Sequence, residues 1–170
     1  MINEILRHYL EIKSFNDLKS IKKTSDNYFL DLVNPKDFQI NKFFYKQIGK
    51  KYNWFDRLVW NDKNWINYIS NENVFTYVLK YNNELIGFSE LIIDKKKQEI
   101  EIAYLGIFEE YFGKKLGGLL LTEVIKKCFT FNIERVWVHT CSLDHKNALK
   151  NYLSRGMKIF KTEAVKIKTA

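Results

Sequence analysis

The sequence is short of the residues that staple or interrupt a chain. Its two cysteines, Cys128 and Cys141, have neither a second pair nor a histidine at metal-ligand spacing, which excludes a disulfide framework and a structural zinc site and points to a reducing compartment. One proline and seven glycines leave no linker, low-complexity tract or internal repeat, so 1–170 is expected to be a single domain, with 1–26 as an N-terminal extension. No apolar run is long enough to cross a bilayer, and Asn3, Glu4, Arg7 and His8 break up the first ten residues. A cytoplasmic protein without a membrane partner is the expectation.

Arginine is also scarce. Of the 28 basic residues, set against 20 acidic ones for a net charge of +8, only Arg7, Arg57, Arg135 and Arg155 are arginines. Nucleic-acid sites favour the planar guanidinium fork, and neither an arginine cluster nor a basic and aromatic sheet motif is present. No nucleic-acid partner is expected, and the lysine excess reads as compositional drift.

What the chain does have is patterning. With 46% hydrophobic residues it can bury a core unaided. Short strands are expected at Tyr9–Lys13 and Tyr28–Val33. A helix follows over Asp37–Lys50, with Phe38, Ile40, Phe43, Phe44 and Ile48 at helical spacing, then another over Asn61–Ile69. Val74–Lys80, Leu85–Ile93 and Glu99–Ile107 read as three antiparallel strands joined by short polar turns. Leu116, Leu119, Leu120, Val124, Ile125 and Cys128 mark an amphipathic helix. Arg135–Cys141 is a strand, 144–154 a helix ended by Gly156, and Met157–Lys168 a closing strand. The order predicts an α+β fold, a mixed and mostly antiparallel sheet with helices on both faces.

Several residues stand out chemically. The turn Phe112-Gly113-Lys114-Lys115-Leu116-Gly117-Gly118 follows a strand and opens a helix. Glycines there let backbone N–H groups approach an anion, to which the helix N-terminus adds roughly half a positive charge; the alternative is a plain strand-to-helix turn. It is neither a Rossmann nor a P-loop motif. Glu90 interrupts the apolar strand Ile86–Ile93, where a carboxylate needs a task or a partner, either deprotonating a cationic amine or pairing with Arg57 or a lysine. Trp137, His139 and Cys141 share one strand face. His139 is either a proton relay or a satisfied core histidine, and nothing marks Cys141 as an activated nucleophile.

Three segments together, Glu101–Ile107 with the glycine turn, Arg135–Cys141 and Asn147–Met157, resemble the GCN5-related N-acetyltransferases, the GNAT superfamily. The resemblance runs from about Tyr28 to the C-terminus. It implies that the fourth main strand splays from the fifth, that acetyl-CoA slots into the gap as cosubstrate, and that Phe108–Gly118 wraps its pyrophosphate. Backbone groups near Ile107 would hold the thioester oxygen, with Phe108, Phe112, Gly113, Lys114, Lys115, Leu116, Gly117 and Gly118 around the phosphates and His145 and Asn147 at the last helix. The family's Q/R-x-x-G-x-G/A turn is departed from, because Phe112 stands at the Gln/Arg position and Lys115 at the first glycine, so Lys115 must adopt a compatible backbone angle or replace the missing charge.

The resemblance further implies an N-acetyltransferase that moves an acetyl group directly to a primary amine of a small molecule, amino-acid derivative or peptide. A GNAT-like module that only binds CoA is the alternative. Tyr152, four residues before Gly156, matches the tyrosine that protonates the departing thiolate, or else is a core aromatic. Glu101, sharing a face with Ala103, Leu105 and Ile107, is placed as the base, or else is an exposed strand-end charge. Tyr52, Trp54, Asp56, Arg57 and Trp137 would face the acceptor or cap the core. No metal is called for, and pairing of two chains through C-terminal strands is known among relatives.

Overall fold

The structure, a computed structural model, describes residues 2–168. The three central strands form where alternation placed them, as β3 (Val74–Tyr81), β4 (Glu84–Asp94) and β5 (Glu99–Ile107), each antiparallel to the next. Before them come β1 (Ile2–Ile12), β2 (Tyr28–Leu32), α1 (Phe38–Gly49) and α2 (Asp62–Ser70); after them α3 (Leu116–Cys128), β6 (Arg135–Cys141), α4 (Ala148–Ser154) and β7 (Lys158–Lys168). The seven strands make one sheet in the order β2-β3-β4-β5-β6-β1-β7.

Local chemistry sets the ends of the helices. Asp37 caps α1 by accepting from the Gln39 N–H at 2.9 Å, and Asn61 and Asn64 exchange side-chain to backbone bonds at 2.9 and 3.0 Å as a capping box for α2. α1 packs through Phe44 and Ile48 on Val78 and Phe88, on one face of the sheet. α3 buries Leu119, Leu120, Val124 and Ile125 on the other face, against Leu91, Ile100 and Val136, and Tyr152 of α4 joins that core.

Three expectations change. The first strand is longer than Tyr9–Lys13 and lies inside the sheet, antiparallel to β6 on one side and β7 on the other. Its Leu10 and Ile12 are buried while Arg7, Tyr9 and Glu11 face the opposite side, so charged residues mute its apolar pattern. The last helix begins at Ala148 instead of residue 144, because the Asp144 carboxylate accepts from the Thr140 hydroxyl (2.6 Å) and the Cys141 N–H (3.1 Å) and holds the chain in a turn. Finally, Glu90 pairs with Tyr104 while Leu91 pairs with Ile102, leaving Ala103 as an extra residue in a β-bulge. Beyond it the alternation reverses: Glu101 keeps the α1 face, whereas Leu105 and Ile107 turn to the α3 core. Among the described residues no helix is long and apolar enough to cross a membrane.

Candidate active site

Strands β5 and β6 run parallel and are paired only over Glu99–Glu101 with Arg135–Trp137. β5 continues to Ile107 and β6 to Cys141, so the two part company and the sheet opens, as expected for the fourth and fifth main strands. Along the opening β5 has N–H and C=O groups with no ladder partner, next to the Ala103 bulge. The gap leads into a cleft of about 1590 Å³.

At the α3 end, Phe112, Gly113, Lys115, Leu116, Gly117 and Gly118 line the cleft. Lys115 takes the left-handed conformation that the missing glycine demands, at φ 59° and ψ 19°, directly before the helix. Gly118 has no room for a side chain: a Cβ there would lie 2.3 Å from the Ile21 side chain and 2.8 Å from Arg155 Nη1. Arg155, which sequence reasoning passed over, lines the cleft with its Nε and Nη1 buried and without hydrogen-bond partners. Asn151, one helical turn earlier, stands beside Gly117 and Gly118. Two orphaned guanidinium nitrogens under a glycine turn fit an anionic group.

Of the other residues expected at the cofactor, Ile107, His145 and Asn147 line the cleft. The His145 ring lies 4.8 Å from Phe112 and 6.0 Å from Tyr52, centroid to centroid, joining three loops over the mouth. Phe108 and Lys114 are absent from the lining. Phe108 stacks on Phe44 at 5.0 Å, anchoring the loop to α1, and Lys114 lies over the Tyr111 ring.

On the α1 face, Glu90 is not a cleft group. It is 1% exposed and saturated: Arg57 donates at 2.9 and 3.1 Å, Asn41 at 2.9 Å and the Tyr68 hydroxyl at 2.6 Å. The ion pair is the outcome, and the role of base does not fall to Glu90. Arg57 sits among aromatic rings, 4.2 Å from Tyr68, 4.5 Å from Tyr104 and 4.8 Å from Trp60. Burial disfavours its charge, but Glu90 more than offsets this and raises its pKa. Asp56 is held by the hydroxyls of Tyr45 (2.8 Å) and Tyr104 (3.1 Å). Tyr52, Trp54, Asp56 and Arg57 line the cleft, whereas Trp137 lies beside it, stacked on Tyr9 at 6.3 Å.

Glu101 and His139 both line the cleft on this face. Burial, then the neighbouring Glu99, pushes the Glu101 carboxyl pKa up against the pull of Arg57. The His139 ring keeps an exposed edge, but crowding by the cleft wall partly desolvates it and, with the Arg7 charge, lowers its pKa, so it is neutral at physiological pH. Tyr152 reaches the cleft from the other side, its phenol held well above its usual pKa by burial and by Asp144. Burial likewise raises the Cys141 thiol, which keeps it protonated and unsuited to nucleophilic attack.

Comparison with known proteins gives this geometry a context. The structure resembles a GCN5-related N-acetyltransferase from Sphaerobacter thermophilus, with TM-score 0.73 and 12% identity over 95% of this chain and 50% of that one. It also resembles one from Kribbella flavida, with TM-score 0.66 and 14% identity over 97% and 58%. An aminoglycoside acetyltransferase from an uncultured soil metagenomic sample matches with TM-score 0.64 and 13% identity, over 78% of this chain and 90% of its own. The chain thus spans about half the length of the first two, and identities this low speak for the fold alone. No curated protein matches the chain in sequence. The profile of the acetyltransferase (GNAT) family matches residues 38–157, from the start of α1 to the residue before β7, and on that match the chain belongs to the GNAT family.

Proposed function

We propose that this chain is an acetyl-CoA-dependent N-acetyltransferase that moves the acetyl group directly to the primary amine of a small molecule, amino-acid derivative or peptide. The observation that carries this is the parting of β5 from β6 after Glu101, with a glycine turn at one end of the gap and titratable groups from both strands along it. Bound acetyl-CoA supplies an activated acyl group whose thioester carbon accepts the amine.

The turn Gly113–Gly118, with Arg155 beneath it, holds the phosphates through backbone N–H groups and the unpaired guanidinium. The unladdered β5 N–H groups beside Ala103 receive the carbonyl oxygen as charge develops on it. Glu101 or His139 takes the proton that the attacking amine gives up, both being biased toward that task by the cleft. As the carbon–sulfur bond breaks, Tyr152, kept neutral by burial, gives its proton to the sulfur. Arg57 and Glu90 act by position, stiffening the aromatic wall.

Calorimetry with acetyl-CoA and free CoA tests cofactor binding, and an acceptor screen following thiol release tests turnover. Binding is expected with both nucleotides, and Tyr152→Phe is expected to bind acetyl-CoA while losing roughly 10²-fold in turnover. Binding without turnover for any amine would leave the CoA-holding module, and no heat at all would remove both.

A further inference from the structure

We propose that the acceptor amine carries a carboxylate and that Arg7 receives it. This rests on the acetyltransferase reading above and names the substrate class of the same site. Arg7 lies on β1 opposite Cys141 of β6, on the sheet face that bears Glu101, Tyr9 and His139. It lines the cleft, its Nε is buried without a hydrogen-bond partner, and no ion pair among the described residues engages it.

The acids nearby are already committed. Glu163, opposite Arg7 on β7, accepts from the Tyr9 hydroxyl at 2.5 Å and pairs with Lys161 at 3.1 Å. Asp144 is taken by Thr140 and Cys141, Asp56 by Tyr45 and Tyr104, and Glu90 by Arg57. Glu163 feels the Arg7 charge without bonding to it, and a partly desolvated guanidinium with no hydrogen-bonded counter-ion is costly to keep; its planar fork matches a carboxylate in two parallel hydrogen bonds.

Position agrees with this. His139 precedes Cys141 by two residues, about 6.7 Å along the strand, and feels the Arg7 charge. An amine placed between Glu101 and His139 therefore has the free cation as its next neighbour along β6. An acceptor whose amine and carboxylate are a few bonds apart satisfies both ends. A polycationic acceptor would instead set its charge against Arg7.

Glycine, L-phenylalanine and L-glutamate, each compared with its α-carboxamide at saturating acetyl-CoA and corrected for the fraction of free amine, test this. The kcat/KM of the acids is expected to exceed that of the amides by roughly tenfold or more, and Arg7→Met to collapse that ratio by a similar factor, with Arg7→Lys intermediate. Calorimetry of the CoA-loaded chain with N-acetylglycine and N-acetylglycinamide asks the same question without turnover: the acid should bind more tightly, and only when Arg7 is present. Equal handling of acid and amide, a ratio that survives Arg7→Met, or binding of neither probe overturns the proposal. Failure of acetyl-CoA itself to bind is a separate result, which takes down the acetyltransferase reading and this proposal with it.

Discussion

Glu90 and Glu101 share a face of the sheet and differ in what remains for each to bind. Every oxygen of Glu90 is occupied, so Glu90→Gln removes the counter-charge of a guanidinium that is 6% exposed and is expected to cost about 3 kcal/mol, read as a lower urea midpoint at unchanged slope. Glu101 is a raised carboxyl and His139 a lowered imidazole, and either must be deprotonated to accept a proton. The acid limb of kcat should therefore lie above the ordinary 4.5 if Glu101 is the base and below the ordinary 6.5 if His139 is, and whichever of Glu101→Gln and His139→Gln abolishes that limb names the base. Tyr152 must keep its proton, and its raised pKa puts any alkaline loss due to it above the ordinary 10.0. A fall in kcat at pH 8–9 that Tyr152→Phe removes would contradict the raised pKa. Sequence inspection flagged Glu90 through its apolar neighbours, but saturation depends on Asn41, Arg57 and Tyr68 arriving from α1, the following loop and α2.

At the scale of elements, the glycine turn and the end of α4 bring two stretches of chain together along one wall of the cleft. Gly117 and Gly118 were visible as a turn because they open an apolar periodic segment. Their partner Arg155 was not, because the residue that follows α4 meets them only after α4 packs beside α3. Arg155→Met is expected to weaken CoA binding by about tenfold or more, from the loss of charge-assisted hydrogen bonds, and to flatten its salt dependence; unchanged calorimetric affinity would show that the phosphates lie elsewhere. A weaker signal was available all along. Three of the four arginines, Arg7, Arg57 and Arg155, line the cleft, and in a chain that otherwise uses lysine, positions that keep the planar fork are those where geometry matters. The fourth, Arg135, ties β6 to β1 and β5 through Glu11 at 2.9 Å and Glu99 at 2.8 Å.

For the whole molecule, the decisive feature is that β1 and β7, the first and last strands in the chain, are neighbours in the sheet. β1 is hydrogen-bonded on both edges and contributes Leu10 and Ile12 to the main core. Deleting residues 2–12 therefore separates β7 from β6 and opens the α3 core, and the truncated chain is expected to lose its cooperative urea transition by circular dichroism, since two buried aliphatics alone are worth about 4 kcal/mol or more. A cooperative fold surviving that deletion would show β1 to be an accessory strand.

Sequence by itself determined the elements from α1 to β6 and, the second half of β5 excepted, the face each presents, because helix and strand periodicity depend on neighbours a few residues apart. It also determined the type of fold, through three segments whose spacing carries a family pattern. Only the tertiary structure decided that the N-terminal segment belongs inside the sheet, that one extra residue at Ala103 turns Leu105 and Ile107 away from Glu101, and that Arg7 and Arg155 line the same cleft, each with a buried guanidinium nitrogen that has no hydrogen-bond partner. These are long-range facts: pairing partners, bulges and unpaired charges are set by which strands meet across the chain, and nothing in a local window records that meeting.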